Sequence, residues 1–538
     1  MNVDDFFQHH GITENPFGAE EARHDPIFER LIHDHTSHPD FGKILGRIDQ
    51  PSAAIVFGEK GSGKTAIRLL IGRKVAEYNR AVAAGQLEPA GNGQQAGSRT
   101  FLVAHDDLNP ALDRFVKHRR QFSSDRDLSQ ATEKLLAQFR LVDHQDAILS
   151  KAVTRLTDAV LEENVGRLAT NGEDTIELAQ PIKLVRAMPH RLRVNLAILA
   201  ALYDQPADGN VIARWQRLLS RLRLGWIRPV AMAKFFGIAF VVAALGFAGA
   251  RLVMAPQNQP PWLVYALGLS AVLGIVLLGM WAWQSVSLWS LARRVHRDTP
   301  TIDRTPGELR RMLSLLRAGD LRHQPWPLAH AGSDARYDLT RRLLDVLNHF
   351  GYGSMIVLVD RIDEPTLVSG KPQRMQSIIW PMLDNKFLQQ QSIAVKLLLP
   401  IELRYQLQRE SGDFFQEARL DKQNMIDRLT WSGATLYDLC SNRLRACHPS
   451  APGETEARPI QLTDLFAEDV NRQLVIDALE QMHQPRDAFK FLYAVVQEHC
   501  RMVSGDEAVY RIPRLTLETV RRTQAQRVQE LHRGLAPA

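Results

Sequence analysis

The stretch "AAIVFGEKGSGKTAIRLLIGRKV" constrains the fold more than any other part of this 538-residue chain. It carries G-x-x-x-x-G-K-[ST] as Gly58, Gly63, Lys64 and Thr65, between an apolar run, Ala53 to Phe57, and a segment with apolar residues at helical spacing. A strand, a glycine-rich turn and a helix in that order bring successive backbone N–H groups around an anion, with the positive end of the helix dipole behind them. Gly58, Gly61 and Gly63, with Lys64, Thr65 and Ala66 opening the helix, form the expected phosphate cradle. Lys64 is placed to reach β- and γ-phosphates, and the Thr65 hydroxyl to ligate Mg²⁺. A chance glycine-rich turn with a surface lysine is the alternative, and the flanking strand and helix argue against it.

The motif predicts a P-loop NTPase that binds ATP with Mg²⁺, and such a fold needs an acidic residue on a neighbouring strand. "MIVLVDRIDEP" supplies one: Met355 to Val359 form an apolar strand, Asp360 ends it, and Asp363 and Glu364 follow. Asp360 is the expected Mg²⁺ carboxylate. The water-activating base is expected at Asp363 or Glu364, because Arg361 stands where many relatives carry a second acid. "TFLVAHDD", Thr100 to Asp107, and "SIAVKLLLP", Ser392 to Pro400, read as further core strands. Strands alternating with helices predict an α/β fold with a parallel sheet covered on both faces. Glu402 and Arg404 follow the last of these strands, where related ATPases carry a γ-phosphate sensor. Pro485-Arg486 opens an amphipathic helix, and Arg486 is either a nucleotide-contacting arginine of a helical lid or a solvated one.

Between these motifs lies "WLVYALGLSAVLGIVLLGMWAW", Trp262 to Trp283, with no charge and a tryptophan at each end. At about 1.5 Å per residue it is long enough to cross a hydrocarbon core of roughly 30 Å. "FFGIAFVVAALGFAGA", Phe235 to Ala250, reaches spanning length when extended back to Pro229, with Lys234 able to snorkel. The short Pro-rich link makes the two a hairpin. Arg214, Arg217, Arg221, Arg223, Arg228 and Lys234 precede it, Arg293, Arg294 and Arg297 follow it, and the link holds only Arg251. By the positive-inside rule both flanks are cytoplasmic. The competing reading is a buried helical hairpin of a soluble core.

The net charge of +6 is thereby assigned largely to anionic lipid headgroups rather than to nucleic acid, which stays possible but not favoured. Cys440, Cys447 and Cys500 are too few and too irregularly spaced for a disulfide framework. The acidic start "MNVDDFFQHHG" does not read as a signal peptide. His33, His35 and His38 read as a polar turn rather than a metal site. The expected organisation is a lead-in and first half of the ATPase core over 1–110, a helical insertion and basic stalk over 111–225, and the hairpin over 226–297. The second half of the core follows over 298–420, and a helical lid and C-terminal bundle over 421–538. "GQLEPAGNGQQAGS", Gly85 to Ser98, reads as a flexible connection and "NLAILAALY" as a core helix. Asn15 to Phe17 resemble an Asn-Pro-Phe lead-in that walls the adenine pocket of several P-loop ATPases.

The loop in "VFGEKGSGKT", the acidic strand end in "VLVDRID" and the membrane hairpin between them together resemble the KAP family of P-loop ATPases. The resemblance implies Lys64 and Thr65 on phosphate and Mg²⁺, Asp360 on Mg²⁺, and Asp363 at the family's later acidic position. It also implies a bacterial inner-membrane protein with a cytoplasmic ATPase domain, acting in antiviral defence as a homo-oligomer or with an effector partner. The family usually carries a second Asp where Arg361 stands, so ATP binding is implied more directly than rapid hydrolysis.

Overall fold

The computed structural model describes residues 1–18, 21–31, 38–86, 98–120, 128–163, 176, 178, 180–206, 210–224, 229–254, 260–322, 324–329, 332–448, 459–503 and 509–532. Its centre is a parallel sheet of five strands: β1 (Ala54–Gly58), β2 (Arg99–His105), β3 (Tyr352–Val359), β4 (Ile393–Pro400) and β5 (Asn424–Ile426). Their spatial order is β2-β3-β4-β1-β5, all neighbours parallel. Side chains alternate between faces as the pleat requires. Ile55, Phe57, Phe101, Val103, Met355, Val357, Val395 and Leu397 join the larger core. Val56, Leu102, Ile356, Leu358, Ala394 and Leu398 join a smaller one, with Ile67, Ile71 and Val75 of the helix Lys64–Ala83. Apolar residues on both faces explain why the strands read as unbroken apolar runs.

Two features depart from the sequence expectation. β3, which leads to Asp360, is not beside β1; β4 lies between them. Residues after Leu420 were expected to be helical, yet Asn424–Ile426 form the edge strand on β1, with Ala54 opposite Asn424.

β2 and β3 are hydrogen-bonded neighbours although residues 106–351 separate them. Much of that stretch covers one face of the sheet. The helix Leu141–Leu161 packs on β2, the helix Asp334–His349 on β3, and the helix His190–Tyr203 on both helices. The last is buried from Val194 to Tyr203, as expected of a core helix. Within the same stretch, the helices Pro229–Val253 and Trp262–Asp298 pack against each other, and the C-terminal end of the second also packs on the helix Pro306–Leu313. Their apolar stretches have mean hydropathies of 2.0 and 2.3 and are only 6% and 17% buried, so they are not core helices of a soluble body. Phe235, Leu245 and Ile275 are among the exposed apolar side chains.

The two helices meet through small residues. A Cβ on Gly274 would stand 2.8 Å from Val241 Cγ2, and one on Gly237 would stand 3.1 Å from the backbone nitrogen of Leu278. Close approach of backbones is how apolar helices associate in lipid. The second helix does not end with its apolar run. It continues unbroken to Asp298, where Ala292 and Val295 are buried in the main core. Arg214, counted above among the flanking charges, is instead buried, ion-paired with Asp158 at 3.0 Å, Asp204 at 2.8 Å and Glu163 at 2.5 Å. Arg228 lies outside the described residues, as does the link 255–259.

A separate core holds the C-terminal helices Gly433–Ala446, Arg472–Glu480, Pro485–Met502 and Arg514–His532. Phe6, Phe7, Ile12, Phe17, Ile27 and Leu31 belong to this core, so the N-terminal lead-in packs with the C-terminal bundle. Arg443, 2% exposed at its side chain, ties the two ends together through Asp25 at 2.6 Å and the Pro16 carbonyl at 2.6 Å. The three cysteines are buried and free.

Candidate functional site

The glycine-rich loop leaves β1 at Gly58 and enters the helix at Lys64. Gly61 and Gly63 adopt φ of +95° and +93°, values that L side chains avoid. Gly61 is also tight: a Cβ there would lie 2.9 Å from Arg486 Cβ. The loop therefore touches the helix Pro485–Met502 of the C-terminal bundle. Lys64, Thr65 and Ala66 form the first helical turn, whose N–H groups have no acceptor within the helix and form an anion-binding end.

Thr65 Oγ1 donates to Asp360 Oδ2 at 3.0 Å. Asp360 follows β3 and is 1% exposed. Burial pushes its carboxyl above the ordinary range, against the pull of Arg68, Thr65 and Lys64. Arg68, one helical turn after Thr65, lies 3.5 Å from Asp360 through Nε and 2.8 Å from Asp106 through its terminal nitrogen. Arg23 reaches the same Asp106 at 2.6 Å. Burial raises Asp106, and Arg68, Lys151 and Arg23 outweigh it, leaving this carboxyl below the usual range. Sequence reasoning did not single out Arg68. Its position three residues after Thr65, on the same helix face, was the available signal.

The Lys64 ammonium donates to the Gly58 carbonyl at 2.7 Å and the Glu59 carbonyl at 2.8 Å. Burial lowers its pKa, opposed by the charges of Asp360, Asp363 and Glu402 and assisted by that of Arg486. Lys64 thus feels charges from three separate parts of the chain. Glu364 is turned elsewhere, ion-paired with Arg361, whose backbone is left-handed at φ +59°. Arg404 is paired with Asp427 at 2.8 Å. The structure brings Gly58, Gly61, Gly63, Lys64, Thr65, Ala66, Asp360, Asp363 and Arg486 to one place and gives Glu364 and Arg404 other partners.

On the bundle side of the loop Arg486 was foreseen, and Trp431, Gln484 and Arg428 were not. Trp431 Nε1 donates to the Ser62 carbonyl at 2.9 Å, and Gln484 hydrogen-bonds Glu59, which also pairs with Arg428 at 2.5 Å. Among the described residues, Ser62 Oγ, Gln484 Oε1 and Arg486 Nε are buried without a hydrogen-bond partner. Buried polar atoms left open beside a ring of backbone donors suit a polar ligand. Asn15 caps the Phe17 amide at 3.0 Å, and Phe17 is buried near Phe489.

No family model, curated protein or solved structure matches the chain. Among the described residues no group of three or more His, Cys, Asp or Glu side chains is placed to hold a metal ion. His33 and His35 lie outside those residues, and His38 hydrogen-bonds the Thr430 carbonyl at 2.9 Å. The Thr65–Asp360 pair offers a hydroxyl and a carboxylate, the hard oxygen donors that magnesium shares with phosphate and water.

Proposed function

We propose that the chain is a membrane-anchored P-loop ATPase that works as an ATP-driven conformational switch. The observation that carries this reading is the 3.0 Å contact between Thr65 and Asp360, residues 295 apart in sequence that motif reasoning assigns to one Mg²⁺ site. The donor set fits: hydroxyl and carboxylate for the metal, lysine and first-turn N–H groups for phosphate. With magnesium bound, the chemistry supplied there is neutralisation of charge on the β- and γ-phosphate oxygens.

The chain's own residues do the rest. Lys64 exchanges its bonds to the Gly58 and Glu59 carbonyls for phosphate oxygens. Asp363, close enough to act on Lys64, takes the role of orienting water. Arg486, against Gly61, reads nucleotide occupancy and passes it to the C-terminal bundle. A ligand moves such an equilibrium only through different affinity for the two arrangements, and the contacts of Trp431, Gln484 and Arg486 with the loop are those that would differ.

The apolar helices anchor this unit in a membrane, with both flanks on the cytoplasmic side. The similarity to KAP ATPases extends the proposal to bacterial antiviral defence, as a homo-oligomer or with an effector protein. A second reading is favoured by the Arg361–Glu364 pair, which occupies an acid otherwise available as a base. In that reading the chain holds ATP with little turnover and recruits an effector. Phosphate release by the detergent-solubilised full chain separates the two. The switch predicts Mg²⁺-dependent release that Asp360→Ala and Asp363→Ala abolish; release at background level in the wild type, with ATP still bound, establishes the scaffold instead.

A further inference from the structure

A cavity of about 1000 Å³ lies between the end of the helix Leu141–Leu161, the helix Pro181–Ala187 and the helix Val211–Arg221, far in sequence from the glycine-rich loop. Five arginines line it: Arg186, Arg214, Arg217, Arg221 and Arg223. Among the described residues the only acid in the lining is Glu163.

The charges are not equivalent. Arg214 is buried and held by Asp158, Asp204 and Glu163. It forms the fixed floor. Arg217 shares Glu163 at 3.0 Å, and Arg221 meets Glu162 at 3.3 Å. Arg186 and Arg223 are exposed and have no ion-pair partner among the described residues. Among the described residues, two guanidinium groups of the lining are therefore without an ion-pair partner, with two more in exchangeable surface pairs of small worth. Leu161 and Ile182 give the same cavity an apolar wall, and Ile182 is 42% exposed. Planar guanidinium forks beside an apolar wall recognise a phosphate carried on a less polar body.

The position in the chain adds to this. Arg223 is six residues before Pro229, where the first apolar helix begins, a reach of at most about 20 Å. We propose that this cavity binds a phosphate-bearing anion. That anion is either a lipid headgroup of the membrane holding the hairpin or a soluble phosphate compound. Only the lipid source rests on the membrane reading. Extraction of the wild-type chain by alkaline carbonate would remove that source and leave the soluble one.

Calorimetric titration of the detergent-solubilised full chain tests the site with three probes: dioctanoyl phosphatidylglycerol, dioctanoyl phosphatidylcholine and inorganic pyrophosphate. The lipid source predicts that phosphatidylglycerol binds, that phosphatidylcholine does not, and that R186E/R223E weakens binding by at least about tenfold. The soluble source predicts pyrophosphate binding that R186E/R223E weakens equally and Lys64→Ala leaves intact, which separates it from the glycine-rich loop. R186Q/R223Q, with matched thermal midpoints, replaces the charge reversal if that variant does not fold. The proposal is overturned if no probe binds, if binding is unchanged in the double variants, or if both lipids bind alike and pyrophosphate does not bind.

Discussion

Thr65 lies on the helix after the glycine-rich loop and Asp360 follows β3, yet the fold closes them to 3.0 Å. Lys64, Thr65 and Asp360 were legible because a motif with a strand before it fixes both residue type and place. The choice between Asp363 and Glu364 was not legible. Arg361 adopts a left-handed turn that no spacing rule announces, Glu364 pairs with Arg361, and the charge of Asp363 acts on Lys64. If Asp363 orients water, Asp363→Asn lowers kcat for ATP hydrolysis by about a hundredfold or more, while Glu364→Gln lowers it by less than about tenfold. Steady-state phosphate release with both variants checks this, and equal losses would remove the distinction. Arg68 bridges Asp106 and Asp360 from a site only 4% exposed. Arg68→Met strands these buried carboxylates and lowers stability by about 3 kcal/mol, seen as a reduced midpoint in urea.

Among the elements, four strands were readable as apolar runs, because both faces of the sheet are covered. β5 was not, since three residues carry no periodicity and its place is set by pairing with β1. β4 holds an exception to the apolar pattern. Lys396 is fully buried, its ammonium donating to the Leu45 carbonyl at 3.1 Å, and burial pushes its pKa down to about 8. The unfolded chain, with an ordinary lysine near about 10.4, binds more protons between these values, so this group makes stability rise with pH there. Lys396→Met therefore stabilises most below about pH 8, and the gain disappears above about pH 10. Thermal midpoints across that range measure it, and a gain that grows with pH would contradict the assignment.

The hairpin gives a second prediction at this scale. Gly274→Leu forces the apolar helices apart, because a Cβ there already meets Val241 at 2.8 Å. Overpacking of this kind costs roughly 1–3 kcal/mol. Disulfide cross-linking between cysteines placed on the two helices should fall in that variant and persist in Gly279→Leu, where the added Cβ meets nothing within 4 Å.

For the whole molecule, the sheet was legible and the grouping of the chain ends was not. Phe6, Phe7, Ile12, Phe17, Ile27 and Leu31 are buried with the C-terminal helices, a long-range packing choice that local patterns do not encode. The unbroken helix Trp262–Asp298 links the exposed apolar region to the core covering the sheet. Thiol labelling tests the topology, since the native cysteines are buried. Met254→Cys should react from the side opposite Arg297→Cys in sealed vesicles; labelling of both from one side would exclude a spanning hairpin.

The most direct test of the central claim is Mg²⁺-dependent binding of ATP by the full chain reconstituted in lipid vesicles, compared with Lys64→Ala. Loss of the charged hydrogen bonds from Lys64 predicts at least about a tenfold loss of affinity, with both proteins equally resistant to carbonate extraction. Equal ATP binding by the two, or release of the wild type from the vesicles by carbonate, would contradict a membrane-anchored nucleotide switch.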